Sequence, residues 1–242
     1  MILSIFVINY CQAFKNEQLK YIISYKWGLI HKEAGDAVLS LADKGNAYEV
    51  SLTARTRPWA DKIYMVRDTL LGSIRKNGFK PLSYSKIAHE KGKYSRDDIV
   101  YEHNGDTVAG KVTRIKQNKK GEVSREAKRL NGSGDVFDML TVFYFLRNID
   151  YNSLKKGERR EATIFSGSKA ETLTIKYEGK EEIKLSDGSL RDSYHIKFSF
   201  TSGKNKKSSE DMDSWISTDS NHIPLLVTGS LPIGQVRCTY VP

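Results

Sequence analysis

Most of the residues that mark enzyme and metal-protein classes are scarce or missing in this chain. There are two cysteines, Cys11 and Cys238, in 242 residues, too few for a structural zinc site. The five histidines, His31, His89, His103, His195 and His222, never fall in His-Glu-x-x-His spacing, so no metal site is expected. No Gly-x-Ser-x-Gly nucleophile elbow occurs, and Gly132-Ser133-Gly134 lacks the Lys-Ser/Thr partner of a phosphate loop. With only five prolines and no low-complexity tract or repeat, nothing divides the chain into separate cores. Acidic residues are the minority, 29 against 39 Lys and Arg, for a net charge of +10. Such a balance suits anionic partners, and also suits a solvated basic surface.

The N-terminus bears on compartment. Ile2 to Tyr10 is an apolar run with one Asn, of signal-peptide length and too short to span a bilayer. Cys11-Gln12-Ala13 follows with small residues where a signal peptidase reads, although no Lys or Arg precedes the run. Residues 1–13 are read as a truncated signal peptide, with acylation of Cys11 or a first β-strand as alternatives. The expected location is periplasmic or exported in a bacterium, with no transmembrane segment in the mature chain. Cleavage after Ala13 would leave Cys238 without an intramolecular disulfide partner.

Hydrophobic residues at 39% and charged residues at 28% are ordinary for a globular chain. Thirteen tyrosines favour half-buried strands. Period-two alternation dominates from Glu17 onward: Tyr21, Ile23, Tyr25 and Trp27 share one face, as do Leu173, Ile175 and Tyr177, and Tyr194, Ile196, Phe198 and Phe200. One wet and one buried face per strand predicts an antiparallel sheet. Asp43-Lys44-Gly45-Asn46, Lys76-Asn77-Gly78, Asn104-Gly105-Asp106 and Asp187-Gly188 are turn signals between the runs. Residues 14–242 are therefore expected to form a single mainly β domain, a curved sheet or barrel-like meander. One segment breaks the alternation. Residues 136–149 are apolar almost all round at helical spacing, which predicts a helix buried inside the sheet. A short helix is expected over Trp59 to Met65, after Pro58.

Several spaced motifs carry a family resemblance. Tyr25-Lys26-Trp27-Gly28 with Ala34-Gly35-Asp36-Ala37 comes first, then Val66-Arg67-Asp68 and Tyr144-Phe145-Leu146-Arg147. Ile223-Pro224 and Gly234-Gln235-Val236-Arg237 close the series. In this order, across Glu17 to Tyr240, they resemble the bacterial family termed domain of unknown function 3108. The resemblance implies an exported, β-rich protein of uncharacterised biochemistry with no catalytic residue to carry over. By analogy, the shape is similar to periplasmic half-barrels that carry lipoproteins.

Candidate chemistry is sparse. Ser83-x-x-Lys86 and Ser166-x-x-Lys169 have a lysine at general-base spacing but sit in strand-like segments. Asp97-Asp98 and the pair Asp211 and Asp213 are the carboxylates a glycosidase would need, with plain surface charge as the competing reading. His195 falls on a polar strand face, as a solvated histidine. The stretch 111–129 holds eight basic and two acidic residues and reads as a basic hairpin. Its lack of aromatics, and the export signal, argue against nucleic acid. Arg57-Pro58-Trp59-Ala60-Asp61 is the best ligand-binding candidate: with Trp27, the residues Arg57, Trp59 and Asp61 could line a cavity mouth and stack on a sugar or headgroup. Arg147, a charge on an apolar helix, requires a carboxylate mate, and Asp68 is the expected one. The leading expectation is a non-enzymatic exported domain, without cofactor, that binds an apolar or amphiphilic envelope ligand, lipoprotein or partner. An envelope glycan hydrolase and an anionic-surface binder working through 111–129 are the alternatives.

Overall fold

The computed structural model describes residues 13–202, 206–207, 212–230 and 234–242. The residues up to Gln12, including Cys11, expected to belong to a signal peptide, and Asp211 of the carboxylate pair, lie outside the described residues. Strands form where the sequence alternates. The first half is a meander: β1 (Glu17–Trp27), β2 (Ile30–Asp43), β3 (Ala47–Thr56), helix α1 (Pro58–Tyr64), β4 (Val66–Arg75), β5 (Lys80–Glu90), β6 (Lys93–Asn104), β7 (Thr107–Gln117) and β8 (Val123–Ser133). After β9 (Val136–Asp138) and helix α2 (Thr141–Arg147) come β10 (Arg159–Ser166), β11 (Lys169–Lys184), β12 (Leu190–Ser202), the two-residue β13 (Lys206–Lys207), β14 (Met212–Ser217), β15 (Pro224–Ser230) and β16 (Gln235–Val241).

All strands belong to one sheet, in the order β8-β7-β6-β5-β4-β3-β2-β1-β16-β15-β14-β12-β11-β10-β9, with β13 beside β12. Every pairing is antiparallel except β9 with β10. Bulges at Ile23/Ser24, Ser73/Ile74, Tyr177/Gly179 and Trp215/Ile216 bend the strands, and the sheet curls into a nearly closed barrel. Its two edges, β8 and β9, meet by side-chain packing. Gly110 on β7 has no Cβ, and one there would stand 2.7 Å from the Phe165 ring; at Gly132 on β8 it would stand 2.9 Å from Val136. Glycine at both positions lets the seam close.

We call the end carrying the connections after β1, β3, β5 and β7 the mouth, and the opposite end the base. The expected short helix is present as α1. The expected long helix is not continuous: residues 136–138 form the parallel strand β9, and α2 begins only at Thr141. Asp138, fully buried, separates them by accepting the backbone N–H groups of Leu140 and Thr141 at 2.9 and 2.8 Å. Helix α2 is buried inside the barrel, and it and its flanking residues divide their side chains between two cores. Leu140 and Tyr144 pack with Leu39, Val50, Ile74 and Ile99 of the first half. Val142, Leu146 and Ile149 pack with Ile164, Leu173 and Ile196 of the second. Below α2, Phe14, Tyr48, Phe79 and Tyr144 meet largely edge-on and seal the base. At about 1.5–3 kcal/mol per large buried side chain, this interior leads the stabilisation of the fold.

Candidate functional site

Towards the mouth the inward-facing residues change character. Ala88, Ser95, Lys116 and Ser124 are cross-strand neighbours on β5 to β8. Here the sheet continues past the apolar filling and its concave wall turns polar. With Tyr64 of α1 these strands enclose a groove of about 730 Å³. Four lysines line it, Lys91, Lys93, Lys116 and Lys119, against Glu90 and Glu122. Glu90 accepts the Tyr64 hydroxyl at 2.8 Å, and the Lys91 ammonium stands 4.6 Å from the Tyr64 ring centre. Among the described residues Lys93, Lys116 and Lys119 form no ion pair, so the groove presents unneutralised positive charge.

A network of largely half-buried ionisable groups underlies this wall. Lys86 lies between Asp68 Oδ2 at 3.7 Å and Glu90 Oε1 at 3.8 Å. Asp68 Oδ1 is buried and accepts no hydrogen bond among the described residues. Burial raises the Asp68 carboxyl above its ordinary value, with Lys86 pulling the other way. Beside it Arg114 grips Asp97 bidentately, 2.9 Å between Nη2 and Oδ2, and donates to Ser168 at 3.0 Å. That contact ties β7 to the β10–β11 turn across the seam.

The sequence-derived candidates are dispersed differently. Arg57 is held by Glu33 and by Asp36 at 2.8 Å. Trp59 donates its indole N–H to the Glu33 carbonyl at 2.8 Å, under the Lys32 ammonium. Asp61 turns the other way and pairs with Arg67 at 2.6 Å. Trp27 stands at the tip of β1, half exposed, with no hydrogen bond or ring contact to those three among the described residues. Arg57 is thus engaged by partners that lie far along the sequence, which local reading could not reveal.

The expected pair Asp68–Arg147 does not form. Helix α2 runs from Asp138 to the base, so Arg147 ends beside the start of β1, whereas Asp68 lies near the mouth. Arg147 is 1% exposed and meets Glu17, with 3.0 Å between Nη2 and Oε2, and the Asn221 carbonyl at 3.0 Å. Its guanidinium also stacks 4.5 Å over Phe14. The requirement for a carboxylate mate was sound; its identity depended on helix direction.

Alternation also separates two other candidate pairs. Asp97 faces inward to Arg114 and Asp98 faces outward to Arg96 at 2.8 Å. Tyr84 and Lys86 face inward, which leaves Ser83 on the outer face. His195 is not the solvated residue expected. It stacks on Trp215 at 4.6 Å, with Asp213 Oδ1 2.6 Å from Nε2 and Glu181 Oε1 3.2 Å from Nδ1. Sequence reading missed Glu181 and Trp215 as its partners, and it missed Tyr64, Glu90 and Lys93 of the groove. Only the Lys116 and Lys119 side of the groove was legible, as part of the basic stretch.

A family model described as "Protein of unknown function (DUF3108)" matches residues 20–240. No curated protein matches the chain. Among solved structures, a β-barrel-like protein of domain of unknown function DUF1849 from Brucella abortus shares the fold. The TM-score is 0.61 at 11% identity, covering 94% of this chain and 96% of that one. Among the described residues no helix is long and apolar enough to cross a membrane.

Proposed function

The chain belongs to the DUF3108 family of proteins of unknown function, and we propose that it is an exported, non-catalytic binding domain whose mouth groove takes the anionic headgroup of an envelope amphiphile. The observation that carries this reading is the unpaired cation set Lys93, Lys116 and Lys119 around a groove of about 730 Å³. That size is in the range of small-molecule sites. Because α2 and the aromatic base fill the interior, the ligand sits in the mouth rather than in a deep apolar cavity. Hydroxyls from Ser95 and Ser124 supply hydrogen bonds to a phosphate or carboxylate. The acyl part would leave through the open end.

The test is titration calorimetry with dihexanoyl phosphatidylglycerol below its micelle concentration, and with the choline lipid as the neutral control. We expect saturable binding of the anionic lipid only. The double substitution Lys93→Glu and Lys116→Glu should weaken it by at least about tenfold, since two attractive contacts become repulsive. Equal uptake of both lipids, or no loss in the double variant, rejects the reading.

A further inference from the structure

Among the described residues eight large apolar side chains are exposed, and five of them stand at the mouth: Trp27, Leu29, Ile63, Tyr64 and Val123. Leu71 and Val100 lie singly on the outer wall, and Leu190 stands opposite Lys184 in the β11–β12 hairpin, whose tip lies against the outer face of β1, β2 and β16. The mouth residues come from the β1–β2 turn, α1 and the start of β8. These elements are neighbours along the rim because β1 to β8 follow one another in the sheet. Leu29 is wholly exposed and Ile63 is 70% exposed. In α1 only Ala60 is buried, so the helix presents Ile63 outward rather than to the core.

Charge follows the same division. The connections at the mouth carry Lys62, Lys91, Lys119 and Lys120, with Arg57 and Asp61 already paired internally and Glu122 the remaining acid. The facing connections at the base, between β2 and β9, carry Lys44 and Lys76 against Asp106 and Asp135. Along the β1–β9 part of the barrel the mouth connections are therefore greasy and basic, and the base connections are neutral.

We propose that the mouth rim is a membrane-docking surface whose partner is an anionic lipid bilayer. Trp27, Leu29, Ile63 and Val123 enter the interfacial region, and the rim lysines meet the headgroups. The apolar groups are separate protrusions on different connections, with cations between them. Fluid lipid accommodates such tips, whereas a protein partner would need a matching pit for each. Indole and aliphatic tips flanked by lysine are the chemistry of interfacial binding. Docked in this way, the groove opens directly onto the headgroup layer. This inference stands independently of the groove's ligand.

The test uses the full chain and vesicles of phosphatidylethanolamine with phosphatidylglycerol, compared with pure phosphatidylcholine, in co-sedimentation. We expect partition to the anionic vesicles, weakened by salt. The double substitution Leu29→Asp and Ile63→Asp should reduce it by at least about tenfold with unchanged circular dichroism, because both side chains are solvent-exposed. Brominated lipid should quench tryptophan emission in the parent and much less in Trp27→Phe. Undiminished partition of the double variant would overturn the proposal. Equal binding to neutral vesicles, or none to anionic ones, would overturn it too. If the rim variant keeps its affinity for monomeric dihexanoyl phosphatidylglycerol while losing vesicles, groove and rim are separate. If the parent docks but ignores the monomeric lipid, the groove reading fails and the rim reading survives.

Discussion

Asp138 shows what a single residue does for this fold. It sits wholly inside the barrel, where burial lifts its carboxyl to about 6 despite hydrogen bonds from Leu140, Thr141 and Tyr101. The folded state therefore keeps a proton that the unfolded chain releases near 3.8. Stability linked to that proton is fully present below the unfolded value and is lost as pH rises through about 6. We expect this group alone to lower unfolding free energy by on the order of 3 kcal/mol between acid and neutral pH. Asp138→Asn should flatten that slope, since its carbonyl still accepts the Leu140 and Thr141 amides. Urea titrations at pH 4 and pH 7 measure it, and an unchanged slope in the variant would place the effect elsewhere. The neighbouring Tyr84 and Tyr101 hydroxyls are pushed up by burial and by Asp138, and the Tyr101 hydroxyl donates to Asp138 at 3.1 Å. The lone described thiol, Cys238, packs against the first core and is pushed up to about 12 by burial.

At the scale of elements, the seam is where packing replaces hydrogen bonding. Phe165 of β10 stacks on Tyr101 at 5.7 Å and lies over Gly110. A Gly110→Val substitution would force the ring away, and we expect a loss of about 1–3 kcal/mol in denaturant unfolding. Gly105 lies in an open turn, where an added Cβ would meet nothing within 4 Å, and does not share that constraint of space. The strand runs were legible because one buried face per strand leaves a period-two trace in the chain. The start of α2 was not. Val136, Phe137 and Asp138 are apolar or capping residues at helical spacing, yet they pair with Thr163, Ile164 and Phe165. A parallel partner so far downstream, beyond the whole of α2, leaves no local mark. The same limit hid the groove, since Glu90, Lys93 and Lys116 converge only when β5, β6 and β7 stand side by side.

The whole molecule depends on its first and last strands. β16 hydrogen-bonds to β1 on one side and β15 on the other, with Ile23 opposite Cys238 and Val227 opposite the same residue. It joins the two halves of the sheet, and each half supplies a core that α2 divides. We expect a chain truncated before Gln235 to lose its cooperative thermal transition, because β1 and β15 become open edges over a half-exposed core. Differential scanning calorimetry would show a broad, weak endotherm; a sharp transition of near-parent enthalpy would contradict this. The amino-acid order by itself determined the strands, their buried faces, the turns, the presence of an internal apolar helix and the excess of positive charge. Each of these is a local or summed property of the chain. Barrel closure decided the rest. It chose Glu17 as the mate of Arg147, turned Asp97 and Asp98 to opposite faces, enclosed His195 between carboxylates, and gathered lysines and apolar tips at one end. Contacts between distant strands depend on sheet order and register, which no short stretch of sequence encodes.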